Sequence, residues 1–239
     1  MIRAVTFDFW DTLVSEDLGT MRDLQIDAWT EVLARAQIDV PREELVEAFN
    51  ENWLQFEQHW HANDGQWTPE DSTDHICDLL KVRGDEIRDQ LVDTFRQVGE
   101  TAPLVAAEGA AQTLGALKEA GVAIGIVCDV GLTKGVTLRH RLEWFGLLEF
   151  FDAWAFSDET GWFKPASQAF APALEGLGIE DPSQAAHIGD SKRTDIAGAL
   201  ALGMTAIRFT GFHDRVEGVG PEAQHVISGF EQILGCLAL

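Results

Sequence analysis

The chain has 239 residues, 46% of them apolar and 24% charged, the balance of a folded globular protein long enough to bury a sizeable core. Its 17 basic residues against 40 acidic ones leave a net charge of −23. That charge argues against nucleic acid, whose binding rests on phosphate neutralisation by a basic surface, and against an anionic membrane surface.

In chain order, residues 2–7 form a short apolar run that ends at Asp8, with Trp10, Asp11 and Thr12 behind it. The two aspartates interrupt the run at once, so no secretory leader is expected, and no later run reaches the length of a bilayer span. Cys77, Cys128 and Cys236 stand far apart without CxxC spacing, which suggests neither a disulfide framework nor a zinc site and points to a reducing cytoplasm.

Residues from about 20 to 98 read as helices with acidic outer faces. Leu45, Phe49, Trp53, Phe56 and Trp60 recur every three or four positions, one stripe of a helix, and Ile87, Leu91, Phe95 and Val98 repeat the pattern. Thr68 followed by Pro69, Glu70 and Asp71 reads as a helix start. His59 and His61, two apart, make a poor metal pair on a helix, and Trp67 with His61 in a non-helical stretch are weak candidates for lining a substrate.

From about residue 104 the pattern changes to strand, loop, helix. Strands are predicted at 122–128, 153–156, 185–188, 205–209 and 226–227, and helices at 110–120, 134–145, 166–177 and 194–202. This alternation predicts an α/β fold with a doubly wound parallel sheet, in which the helical segment is an insertion after the first strand. In such sheets the ligand crevice lies beyond the carboxyl ends of the strands. Asp8 stands at the first of these ends and Cys128 with Asp129 at the second. SDETGWFKP, with Lys164, follows the third, and Gly189, Asp190, Ser191 and Asp195 follow the fourth. A single acid at a strand end often only caps a loop or a helix. Four such sets converging on one crevice mark a site.

The arrangement resembles the haloacid dehalogenase superfamily of hydrolases over nearly the whole chain. FDFWDTL is similar to its first motif, IGIVCDVG stands where its second would be, SDETGWFKPASQAF is similar to its third and HIGDSKRTDIAGALALGM to its fourth. The resemblance implies a Rossmann-like core of residues 1–16 and 100–239 with an all-helical C1-type cap at 17–99. It implies Asp8 as nucleophile and Lys164 as the catalytic cation. Mg²⁺ would be held by Asp8, the backbone carbonyl of Trp10 and Asp190, with Asp195, Ser191 and Thr12 in support. Carboxylates are suited to this ion, and a hard cation removes the repulsion between an anionic nucleophile and a phosphoryl group. The substrate class implied is a small phosphorylated metabolite.

Three departures matter. The family's phosphatases commonly place a second aspartate, the general acid/base, where this chain has Trp10, and an indole transfers no proton; a phosphatase built this way should be slow, or limited to good leaving groups such as acyl or aryl phosphates. Cys128 replaces a Ser or Thr of the substrate-binding motif with a weak donor. Asp129 adds an anion beside the expected phosphate site. Trp10 also fits the family's dehalogenases, which attack a halogenated substrate at carbon and expel a halide that needs no proton, but these typically lack the aspartate at position 190. A poorly active or non-catalytic small-molecule binding protein is the third reading. His187, on a strand inside the sheet, reads as a packed residue, and the oligomeric state is not encoded in any pattern.

Overall fold

A computed structural model of the chain describes residues 1–16, 19–62, 65–214 and 219–238. It divides into two compact units: one of Met1–Ser15, Leu104–Asp129 and Arg141–Leu239, the other of Glu16–Pro103 and Val130–His140.

The strands are β1 (Ala4–Phe7), β2 (Val14–Glu16), β3 (Leu104–Ala106), β4 (Ala123–Cys128), β5 (Ala153–Phe156), β6 (Ala185–Gly189), β7 (Thr205–Phe209) and β8 (His225–Ile227). Six of them form one sheet in the order β5-β4-β1-β6-β7-β8, and each neighbouring pair runs parallel. This is the α/β, doubly wound sheet expected from the alternation of strands and helices. The central strands are covered on both faces, and every residue of β1 and β6 is buried. One face packs Ala4, Val127 and Ala206 against Phe170, Ala173, Ile196 and Ala199. The chain builds outward from β1 through β4 to β5, then returns to the other side of β1 for β6, β7 and β8. The strand order therefore reverses between β1 and β6, the place where open sheets form their crevice.

The sequence pattern passed over the pair β2 and β3, which forms a separate two-stranded sheet. These strands are three residues each, too short to display a period.

The second unit is built on four helices, Thr20–Arg35, Arg42–Ala62, Pro69–Leu80 and Asp85–Thr101. They close around Ile26, Trp29, Leu33, Leu45, Phe49, Ile76, Leu91 and Phe95, with the Trp29 ring edge-on to Phe49 at 5.2 Å between centroids. Thr68 and Asp71 form a reciprocal cap: the Asp71 N–H donates to Thr68 Oγ1 at 3.1 Å and the Thr68 N–H to Asp71 Oδ2 at 2.9 Å. His61 lies inside the second helix, not in a non-helical stretch. Val130–His140, placed in the α/β core by the sequence boundaries, groups with the helical unit. Leu132 packs on the helical core, Lys134 Nζ lies 2.6 Å from Glu70 Oε1, and a Cβ on Gly99 would come within 2.9 Å of Thr133 Cγ2. The expected boundary at residue 17 lies outside the described residues.

Candidate active site

β1 delivers Asp8 to the carboxyl edge of the sheet, and the Asp8 N–H donates to Ile188 O at 2.8 Å, which continues the β1–β6 ladder and fixes the direction of exit. The chain then turns tightly. Leu13 N and Val14 N both donate to Phe9 O at 3.0 Å, and Asp11 N donates to Val14 O at 2.8 Å. Asp11 adopts a left-handed backbone (φ 54°), which aspartate tolerates better than most residues. Its carboxylate accepts from Ser15 Oγ at 2.7 Å, so it braces this turn. The Trp10 indole packs edge-on against Phe9, 4.9 Å between centroids. Thr12 Oγ1 is buried and has no hydrogen-bond partner among the described residues.

Lys164 enters from the loop that follows β5 and is 2% exposed. Its ammonium donates three hydrogen bonds: to Asp8 Oδ1 at 2.7 Å, Asp195 Oδ1 at 2.6 Å and Val127 O at 3.1 Å. All three donors are used, so its direction is fixed. Its backbone N–H donates to Asp129 Oδ1 at 3.0 Å. Asp129 thus holds the start of the lysine segment.

After β6, the backbone turns through a π-helical segment, Lys192–Ile196, into the helix Ala197–Leu202. The wide turn arises because Asp195 N and Ile196 N both donate to Ser191 O, at 3.0 and 3.1 Å. Ser191 N in return donates to Asp195 Oδ2 at 3.1 Å. This local geometry replaces the plain helix start predicted at 194. Gly189 is required where Asp195 folds back: a Cβ there would lie 2.2 Å from Asp195 Cγ.

Asp8, Asp190 and Asp195 are all buried, with carboxylate oxygens within 4.8 Å of one another. The three are not equivalent. Asp195 Oδ1 accepts from Lys164 and from His187, and Oδ2 from Ser191 N and Thr194 Oγ1, so its lone pairs are occupied by donors. Asp8, whose Oδ1 also accepts from Lys164, and Asp190 bring carboxylate oxygens, the hard donors a divalent cation takes, to the same cluster.

Electrostatics agree with this division. Burial pushes the Asp195 carboxyl up, but the Lys164 ammonium and the His187 hydrogen bond outweigh it and hold the group below the usual carboxylate range. Burial likewise raises Asp8, and here Lys164 does not compensate, because Asp195 and Asp190 add to the rise; its carboxyl stands well above the ordinary value. Burial alone would lower Lys164, yet Asp195 and Asp8 hold its ammonium well above the usual range. One ammonium against three buried carboxylates leaves the cluster short of positive charge. The donor set fits a small hard cation such as Mg²⁺, in chemistry and in charge.

Cys128 ends β4 and is buried; burial first, then the neighbouring Asp8, raises its thiol well above the usual value, so it is no thiolate nucleophile. The structure therefore brings Asp8, Cys128, Asp129, Lys164, Asp190, Ser191 and Asp195 to one edge of the sheet, with Trp10 and Thr12 on the turn beside Asp8. It adds two residues the motif reading did not use. Half-buried Arg193 feels both Asp129 and Asp195, and His187 reaches Asp195 from β6. Neither carries a spacing signal, since their partners lie on other elements or on an uncommon turn.

The family model for haloacid dehalogenase-like hydrolases matches residues 2–203, and the chain belongs to that family of hydrolases. It is 36% identical over 104 residues to the haloacid dehalogenase-like hydrolase domain-containing protein 3 of Bos taurus, an alignment covering 44% of this chain and 39% of that one. It is 28% identical over 217 residues to the glyceraldehyde 3-phosphate phosphatase of Methanothermobacter thermautotrophicus, covering 87% of this chain and 85% of that one. The chain spans 39 to 61% of the length of the bovine protein and two further curated relatives. Among solved structures it is similar to a 2-haloacid dehalogenase from Pseudomonas syringae pv. Tomato, with a TM-score of 0.70 and 23% identity over 100% of this chain and 99% of that one, a likeness of fold. Among the described residues no helix is long and apolar enough to cross a membrane.

Proposed function

We propose that the chain is a Mg²⁺-dependent phosphatase of small phosphorylated metabolites that works through an aspartyl-phosphate on Asp8. The observation that carries this reading is the convergence of three buried carboxylates, Asp8, Asp190 and Asp195, within 4.8 Å of one another around the Lys164 ammonium, which bonds both Asp8 and Asp195. The phosphatase name of the Methanothermobacter relative, aligned over 85% of its length, supports the same chemistry. The family's dehalogenases typically lack an aspartate at the place of Asp190.

In this reading Asp8, Asp190 and the Trp10 carbonyl would hold the metal, which would supply charge neutralisation to the phosphoryl group. Asp8 attacks phosphorus; the phosphorus–oxygen bond to the leaving group breaks and its electron pair departs with that oxygen. Lys164, fixed by three hydrogen bonds, stabilises the negative charge of the transferring group. Water then attacks phosphorus, the bond to Asp8 breaks with its electron pair returning to the restored carboxylate, and the phosphoryl group leaves as inorganic phosphate carrying the oxygen of that water, whose displaced proton passes to solvent. Trp10 offers no proton to the departing oxygen, so the enzyme is slow on alkyl esters and favours substrates that leave as stable anions. Proton help of this kind is worth roughly 10² to 10⁴ in rate. Cys128 and Asp129 flank the phosphoryl site; Asp129 Oδ1 accepts from the Lys164 backbone N–H, which ties that carboxylate to the lysine segment. The helical segment 17–99 is the family's specificity-setting cap, the core 1–16 and 100–239 carries the chemistry, and the three free cysteines suit a reducing cytoplasm.

Trp10 keeps a second reading in play, in which Asp8 attacks carbon and displaces halide. The experiment measures phosphate release from 4-nitrophenyl phosphate and acetyl phosphate with Mg²⁺, with EDTA and in Asp190→Asn, beside halide release from short 2-haloacids. Phosphate release abolished by EDTA and by Asp190→Asn is expected. Release indifferent to both would overturn the metal-assisted reading, and halide release without phosphate release would establish the alternative.

A further inference from the structure

His187 lies on β6 with no solvent exposure, between Thr6 of β1 and Asp195. Its Nε2 is 3.0 Å from Asp195 Oδ1, its Nδ1 is 2.8 Å from Thr6 Oγ1, and the Phe170 ring closes one side at 5.1 Å between centroids. The protonation pattern follows from what each partner can do. Asp195 is ionised and only accepts, so Nε2 must carry the hydrogen. Burial lowers the imidazole pKa against the pull of Asp195, with Lys164 as the opposing cation, so the ring is neutral and Nδ1 is a bare lone pair. The Thr6 hydroxyl must then donate to Nδ1, in preference to Ala186 O at 3.4 Å. Read in order, Thr6 donates to His187, His187 donates to Asp195, and Lys164 donates to both Asp195 and Asp8.

We propose that His187 is a positioning residue for the hydrolase reaction, holding Asp195 turned toward Lys164 in the tautomer that Asp195 dictates, and that Thr6 supports this tautomer by donating to Nδ1. A carboxylate held only by its own turn could rotate about its last bond; the imidazole fixes the oxygen that the lysine uses, as outer partners fix ligands in metal sites. The inference rests on the reading that Lys164 serves the reacting centre.

Two measurements on the full chain test it. Nitrogen-15 NMR of the labelled wild type should show a neutral His187 with its proton on Nε2; a proton on Nδ1, or a charged ring near neutral pH, overturns the proposal. With Mg²⁺ and 4-nitrophenyl phosphate, His187→Phe should lower kcat about 10- to 100-fold at unchanged KM. His187→Gln, whose amide N–H can reach the place of Nε2, should recover most of that loss. No loss in His187→Phe, or an equal loss in both variants, contradicts positioning. A wild type inactive on this ester would fail the phosphatase reading, and the tautomer would then decide the relay alone.

Discussion

Burial makes His187 a titration marker as well as a positioning group. Its folded-state pKa lies below the unfolded value of 6.5, against Asp195 and Lys164 as its charged neighbours and Thr6 and Phe170 as its uncharged walls. Below pH 6.5 the unfolded chain takes up a proton there that the folded chain refuses, so stability falls as pH drops from 6.5 toward the folded pKa. Denaturant titrations across this window should show a shallower fall in His187→Phe than in wild type; identical slopes would mean that the folded ring protonates normally. At this scale the sequence was legible where strand ends and motif spacing coincide. Asp8, Lys164, Asp190 and Asp195 could be named because each stands at a fixed offset from a strand. Asp129 could not be oriented, because the Lys164 N–H that donates to it comes from a distant segment. His187 looked like packing because a buried strand position gives no hint that a turn eight residues later folds back onto it.

The element that sets the geometry is the turn from β6 through Lys192–Ile196, whose doubled bonds to Ser191 O swing Asp195 over Gly189. Gly189→Ala adds a single methyl where this turn cannot accept it, 2.2 Å from Asp195 Cγ. The expected outcome is loss of most phosphatase activity, through displacement of Asp195 from Lys164, in a chain that still gives a native circular dichroism spectrum. Full activity in Gly189→Ala would show that the Asp195 position is not critical. The strands and helices of the core were readable because six apolar runs alternate with amphipathic stretches. The π-helical turn, the β2–β3 pair and the grouping of Val130–His140 with the helices were not. The turn rests on an uncommon local pattern, two N–H groups sharing the Ser191 carbonyl, while the other two depend on partners distant in sequence: a three-residue pairing and the close approach of Gly99 to Thr133.

For the whole molecule, a net charge of −23 and a buried cluster with one ammonium among three carboxylates point the same way. A divalent cation bound at this cluster would offset that excess of negative charge. Mg²⁺ should raise the thermal midpoint of the wild type in a concentration-dependent manner, as any ligand of the folded state does. The shift should shrink in Asp190→Asn, whereas an equal shift in both proteins would place the ion elsewhere on the acidic surface. The most direct test of phosphoryl transfer without proton assistance is the dependence of kcat/KM on leaving-group pKa across a series of aryl and alkyl phosphates, for wild type and Trp10→Asp. The wild type should fall steeply as the leaving group becomes more basic, and Trp10→Asp should flatten that dependence by recovering up to roughly 10² to 10⁴ in rate on the alkyl esters. A flat dependence in the wild type, or no turnover of any phosphate ester in the series, would contradict it.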